Sequence, residues 1–280
     1  MIAIRSMVRA DLGTALGWAA EEGWNPGLSD AETFFAADPQ GFLIAELGDD
    51  KVGCISAVCY GDGFGFLGFY IMRPEYRGRG FGLALWRAAM ARFGPRVVGL
   101  DGVVAQQENY RKSGFVLVHR NVRYGAAQPV APKPAPGFTT APIASFPFAE
   151  LAAYDRAMFP APRDAFLRAW TAQPGHVGLA LRKGDALAGY GVIRPCREGS
   201  KIGPLFADTP DGARTLFAAL LGRAPSGPVF LDLPEPNADA IAMARDAGMA
   251  PSFETARMYA GTAPDLPLAR IYGISSFELG

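Results

Sequence analysis

Cysteine, net charge and long apolar runs are all scarce in this sequence, and each scarcity closes off a class of protein. Cys54, Cys59 and Cys196 are odd in number and lack any CxxC or Cys/His spacing, so neither a disulfide framework nor a metal site is expected. Charged residues are only 19%, and Lys plus Arg equals Asp plus Glu at 27 each, so no basic excess argues for a nucleic-acid partner. No stretch approaches the roughly 18 apolar residues of a membrane span. Residues 1–10 alternate apolar and polar side chains and include Arg5 and Arg9, unlike the apolar core of a signal peptide. A cytoplasmic protein is the expectation, with neither membrane nor nucleic acid as partner.

What the chain has in quantity points the same way. Half of its residues are hydrophobic and 11% are aromatic, which excludes disorder. At 280 residues it exceeds the usual single domain, so two domains of about 130 to 150 residues are predicted.

The first half reads as β-α-α-β-β-β-α-β-α-β. Residues 2–7 alternate like a strand, and Leu12, Ala15, Leu16 and Ala19 recur at helical spacing. Strands at 42–47 and 52–60 suit a hairpin, and 67–72 is a third antiparallel strand. Beyond it lie a helix from about Gly80 to Phe93, an apolar strand at 97–101, a short helix at 108–113 and a strand at 115–124. Residues 127–136 are too proline-rich for helix or strand and are expected to be a semi-rigid spacer. The second half repeats the order of elements, and Lys112-Ser113-Gly114-Phe115 leading to Arg123-Tyr124-Gly125 is echoed by Asp246-Ala247-Gly248-Met249 leading to Arg257-Met258-Tyr259. A divergent duplication follows, with domains at 1–126 and 137–280. A last strand is expected at 271–278, able to pair with either half.

The chemistry concentrates between Leu67 and Met90, where an apolar strand runs into Arg73-Pro74-Glu75-Tyr76-Arg77-Gly78-Arg79-Gly80-Phe81-Gly82 and then a helix. Glycines at 78, 80 and 82 let backbone N–H groups approach an anion, and the helix offers its unpaired first-turn donors to the same charge. A Walker loop would need Gly-Lys-Ser/Thr where this one has Gly82-Leu83-Ala84. A dinucleotide fingerprint would place the third glycine differently and would not follow three antiparallel strands.

Arg77-x-x-Gly80-x-Gly82, after an antiparallel strand and before a helix, resembles the acetyl-CoA pyrophosphate loop of the GNAT-type N-acetyltransferases. The tandem layout, the Gly23-Trp24-Asn25-Pro26-Gly27 loop and the closing residues 272–280 are similar to the YitH-like branch, a GNAT domain followed by a second GNAT-like domain. The fold implied is mixed α/β (α+β), two GNAT-like mixed-sheet domains in tandem, each a mostly antiparallel sheet flanked by helices. The resemblance implies an acetyl-CoA-dependent transfer to a primary amine, with no metal. It assigns CoA binding to Ile71, Met72, Arg77, Gly78, Arg79, Gly80, Phe81, Gly82 and Asn109, with the pantetheine arm between the strands ending at Met72 and near Asp101. Tyr110, four residues before Gly114, stands where many relatives place a tyrosine that protonates the departing thiolate.

The chain departs from the family pattern twice. The asparagine common seven residues before that tyrosine is Val103, leaving Asn109, Gln106 or Gln107 to substitute. The strand 67–72 also has no carboxylate to act as base, so Asp101 on the neighbouring strand is the nearest candidate, with a turn-capping role equally open. Trp24, Asn25, Tyr60 and Tyr70 are expected to line the acceptor pocket, Trp24 alternatively anchoring its loop on the core. His119 and His176 lack partners at catalytic spacing and read as structural.

At the matching junction of the second half, Asp208-Thr209-Pro210-Asp211-Gly212-Ala213-Arg214 caps its own helix with carboxylates and a proline, so no CoA is expected there. A small-molecule amine is the expected partner of a monomer or homodimer. A non-catalytic CoA-binding regulatory module and, further off, a nucleotide-dependent oxidoreductase are the rival readings.

Overall fold

A computed structural model describes residues 2–280. In the first half, β1 (Ala3–Ser6), α1 (Arg9–Glu21), α2 (Asp30–Ala37), β2 (Phe42–Leu47), β3 (Asp50–Tyr60) and β4 (Phe64–Met72) lead to α3 (Phe81–Phe93), β5 (Val97–Val103), α4 (Gln107–Lys112) and β6 (Val116–Ala126). The second half follows the same plan through β7 (Phe138–Pro142), α5 (Phe148–Arg156), α6 (Asp164–Ala172), β8 (Val177–Lys183), β9 (Ala186–Pro195) and β10 (Ser200–Ala207). It closes with α7 (Pro210–Leu221), β11 (Val229–Pro234), α8 (Ala238–Asp246), β12 (Ala250–Ala260) and β13 (Ile271–Gly273). The periodicities hold: Leu12, Ala15, Leu16 and Ala19 are the buried face of α1, and Leu85, Ala89 and Phe93 that of α3. No helix among the described residues is long and apolar enough to cross a membrane.

The sheet order is β1-β2-β3-β4-β5-β12-β6-β11-β10-β9-β8-β7, with β13 paired to β10. The last strands of the halves are exchanged. β12 lies antiparallel to β5, and β6 lies antiparallel to β11, so the two mixed sheets join into one. Each exchanged strand brings a buried arginine opposite an aspartate of the other half, Arg257 against Asp101 and Arg123 against Asp232. The spacer 127–136 has no helix or strand and is tied to the second half through Val130 N–H to the Ala247 carbonyl and Ala135 N–H to Thr215 Oγ1.

The expected strand at 271–278 is shorter than its sequence suggests, because only Ile271–Gly273 pairs with β10. Residues 274–280 leave the strand direction and cross to the first half. Their turn is closed by Leu279 N–H to Ser276 Oγ and Gly280 N–H to the Ser276 carbonyl.

Candidate active site

The site begins where β4 and β5 part. They pair in parallel from Phe64 and Val97 to Leu67 and Leu100 and diverge beyond. On its other side β4 is bulged against β3, with the register shifting opposite Cys54 and Ser56 and Phe69 held at φ 47°. A bulky residue in the left-handed region is costly and persists only where surrounding packing over-determines it. Phe69 meets that condition, buried edge-on to Phe34 and Phe42. The bulge bends β4 away from β5, opening the gap. Because Arg73 N–H bonds the Val52 carbonyl on β3, the alternating Met72 amide faces the gap.

Below the gap, Gly78 and Gly80 adopt φ of 73° and 80°, and Gly80 enters α3 with no side chain capping the helix. The first amides of α3 therefore have no intrahelical partner and carry the positive end of the helix dipole. They open on a cleft of about 570 Å³ lined by Ile71, Met72, Arg77, Gly78, Gly80 and Gly82. Arg77 braces the loop, its Nε 2.8 Å from the Met72 carbonyl and its guanidinium paired with Glu22. Arg79 lies over the rings of Tyr76 and Phe81, and neither Arg79 nor Phe81 is among the residues that line the cleft.

The cleft continues inward through Trp24, Tyr70, Val103, Gln106 and Phe253 into a pocket of about 60 Å³ that Asp101, Tyr110, Phe277 and Glu278 also line. Tyr110 is buried with its ring stacked on Trp86 at 5.6 Å and edge-on to Phe115. Burial pushes its phenol well above the ordinary range, so it is protonated at neutral pH. Asn109 sits at the outer edge beside Tyr110, its amide donating to Gln106 Oε1 at 2.8 Å.

Three further expected site residues, Asp101, Asn25 and Tyr60, stand elsewhere or are otherwise engaged. Asp101 lines the pocket, but Arg257 holds its carboxylate at 3.0 and 2.7 Å and Asn121 Nδ2 donates at 2.7 Å. Its side chain is fully enclosed, so its geometry is that of a structural ion pair and speaks against the expected base. Asn25 clamps the second half instead of lining the pocket: its side chain exchanges two 2.9 Å hydrogen bonds with the Glu198 backbone, and its carbonyl accepts from Lys201 Nζ. Tyr60 lies under the closing segment, its hydroxyl donating to the Leu279 carbonyl at 3.0 Å. Trp24 and Tyr70 do line the pocket, and Arg123 Nη1 holds the Trp24 carbonyl at 2.9 Å.

Sequence reasoning missed the second half's share of this pocket, namely Phe253 and Thr255 on β12 and Phe277 and Glu278 on the closing segment. The echo of Arg123 in Arg257 was the available signal, since two equivalent strands with matched arginines can trade places.

A splayed parallel strand pair, an uncapped glycine loop and a protonated tyrosine across the gap define an acyltransferase, and the chain belongs to the GNAT acetyltransferase family. Residues 9–115 match the acetyltransferase (GNAT) family and residues 151–273 an acetyltransferase (GNAT) domain. The chain is 34% identical over 267 residues to holothin acyltransferase of a Pseudoalteromonas species, covering 94% of this chain and 89% of that one. A solved acetyltransferase-fold structure from Pyrococcus horikoshii superposes with a TM-score of 0.84 at 22% identity, over 100% of this chain and 96% of that one. A tandem GNAT protein from the clavulanic acid biosynthesis pathway gives 0.66 at 16%, over 94% and 100%. The chain is thus a tandem GNAT acyltransferase.

Proposed function

We propose that this acyltransferase moves an acetyl group from acetyl-CoA to a primary amine of a small molecule. The observation that carries the reading is the uncapped start of α3 at Gly80, opening on a cleft that narrows to a small pocket beside Tyr110. The amides of Gly80 to Gly82 suit a pyrophosphate, and the Met72 amide suits the arm between β4 and β5. The inner pocket has room for a short acyl group between the aromatic rings of Trp24, Tyr70, Tyr110, Phe253 and Phe277. Tyr110 supplies a proton to the departing sulfur; its buried, stacked ring fixes the hydroxyl and keeps it protonated. The name of the Pseudoalteromonas relative makes holothin the first acceptor to try.

Free-thiol release from acetyl-CoA across an amine panel that includes holothin tests the reading, and no turnover with any amine overturns it. In Tyr110→Phe, kcat is expected to fall by roughly 10² to 10⁴ with CoA affinity nearly unchanged. Unchanged turnover removes Tyr110 from the mechanism.

A further inference from the structure

Glu278 is a buried carboxylate that neither the fold nor the mechanism so far has used. It is 3% exposed, lines the inner pocket with Tyr70 and Tyr110, and forms no ion pair or side-chain hydrogen bond with the described residues. Its backbone crosses β4 at the start of the splay, where a Cβ added to Gly68 would sit 2.3 Å from the Glu278 carbonyl oxygen. The segment carrying it is fixed on both sides. Arg163, itself paired with Asp155, donates to Ser275 Oγ at 2.8 Å, and Tyr60 holds the Leu279 carbonyl. An acidic residue with no ion-pair partner thus lines the pocket on a rigid support, whereas the other acidic residue there, Asp101, has its carboxylate held by Arg257 and Asn121.

Resting on the acetyl-transfer reading above, we infer that the Glu278 carboxylate, delivered by the second half into the pocket of the first, takes the proton from the acceptor amine. One proton of the ammonium passes to Glu278 and then to solvent. The freed nitrogen pair forms the N–C bond as the C–S bond breaks, Tyr110 gives its proton to sulfur, and the nitrogen's surplus proton restores Tyr110. The sum is amide, thiol and one proton released.

The charges around Glu278 set its working range. Burial raises its pKa; Lys201 on β10, Arg194 on β9 and Arg123 on β6 pull it back, and Asp30 on α2 pushes it up, leaving it above the ordinary carboxylate value. Only the ionised form accepts a proton, so activity must rise with pH through that raised value.

The test is Glu278→Gln in the full chain, read by kcat/KM against pH with acetyl-CoA and an alkylamine that the wild type accepts. The expected result is a loss of roughly 10²-fold near pH 7, disappearance of the acidic limb that belongs to the enzyme, and CoA binding within about twofold of wild type. Kinetics within threefold of wild type, or a retained acidic limb, overturn the assignment. If Glu278→Gln does not fold, Glu278→Asp carries the test: its shortened carboxylate is expected to lower kcat about tenfold while keeping the limb, and unchanged kcat overturns the role. A wild type that accepts no amine sinks the acetyl-transfer reading itself, which separates the two failures.

Discussion

The two strand-to-helix junctions occupy equivalent places and do opposite things. In the first half, Gly80 starts α3 with no capping side chain and the β4–β5 gap is open. In the second, Thr209 Oγ1 accepts from Gly212 N–H at 3.2 Å and Pro210, in the first helical turn, has no N–H to offer, so α7 presents fewer free amides than α3. Asp208 beside it is held by Arg270 and Tyr154. The β10–β11 gap is also filled, because β13 pairs with β10 and Ile274 N–H bonds the Asp232 carbonyl at 2.8 Å. The frame is otherwise shared: the last parallel pairs, Leu67 with Leu100 and Ile202 with Leu231, are each followed by a glycine, Gly68 and Gly203, over which the closing segment passes. The second junction thus presents a capped helix and an occupied gap where the first presents an uncapped helix and an open cleft.

The largest effect that would test this contrast is loss of CoA binding. Gly80→Val forces a β-branched side chain into the left-handed region at φ 80° on an exposed loop, so affinity should fall at least about 100-fold while the protein still folds, its melting transition cooperative and lowered only by the roughly 1–3 kcal/mol of backbone strain. Titration calorimetry of the wild type should find one CoA per chain. A second site would break the contrast, because it would mean that the Thr209 cap and β13 yield to ligand.

The halves are also bound by what they exchanged. Arg123 and Asp232 lie opposite each other at 2.6 and 2.8 Å, and Arg257 and Asp101 repeat the pair at 3.0 and 2.7 Å. Burial alone would raise Asp232, but Arg123 and Lys201 outweigh it and hold the carboxyl below its usual range. Removing one partner of a buried pair strands the other charge, at a cost of roughly 3–5 kcal/mol. Arg123→Met and Arg257→Met should each lose about that much in urea unfolding. Since each pair joins strands from different halves, the unfolding should stay a single transition. Two separated transitions would show that the halves are independent despite the shared sheet.

Much of this was legible in local pattern. Periodicity placed the helices and strands, and the glycine loop announced itself because positive φ and an open helix start leave a local signature in residue type. The duplication was readable from Arg123 and Arg257, but the trade of strands was not: β6 fits either partner by alternation, and only packing of the whole sheet decides. The same limit hid Glu278. A carboxylate brought to Gly68 by a chain crossing has no nearby residue to betray it, so the neighbour along the strand order, Asp101, drew attention instead. Asn25 and Tyr60 were misplaced for a related reason, since their partners Glu198 and Leu279 are remote in sequence.

The smallest predicted effect separates the two features that distinguish the second junction. Thr209→Ala removes one hydrogen bond to an α7 amide and should cost about 1 kcal/mol, a fall of roughly 2–4 °C in Tm for a chain of this size. It uncaps the helix but leaves Pro210, Asp211 and β13 where they are. If the plugged gap alone is enough to keep CoA out, the variant still binds one CoA per chain, and the cap is a stability device retained after the site was lost. If calorimetry of Thr209→Ala shows a second, weak CoA site, the cap is what excludes the pyrophosphate, and β13 must be displaceable by the arm that follows it.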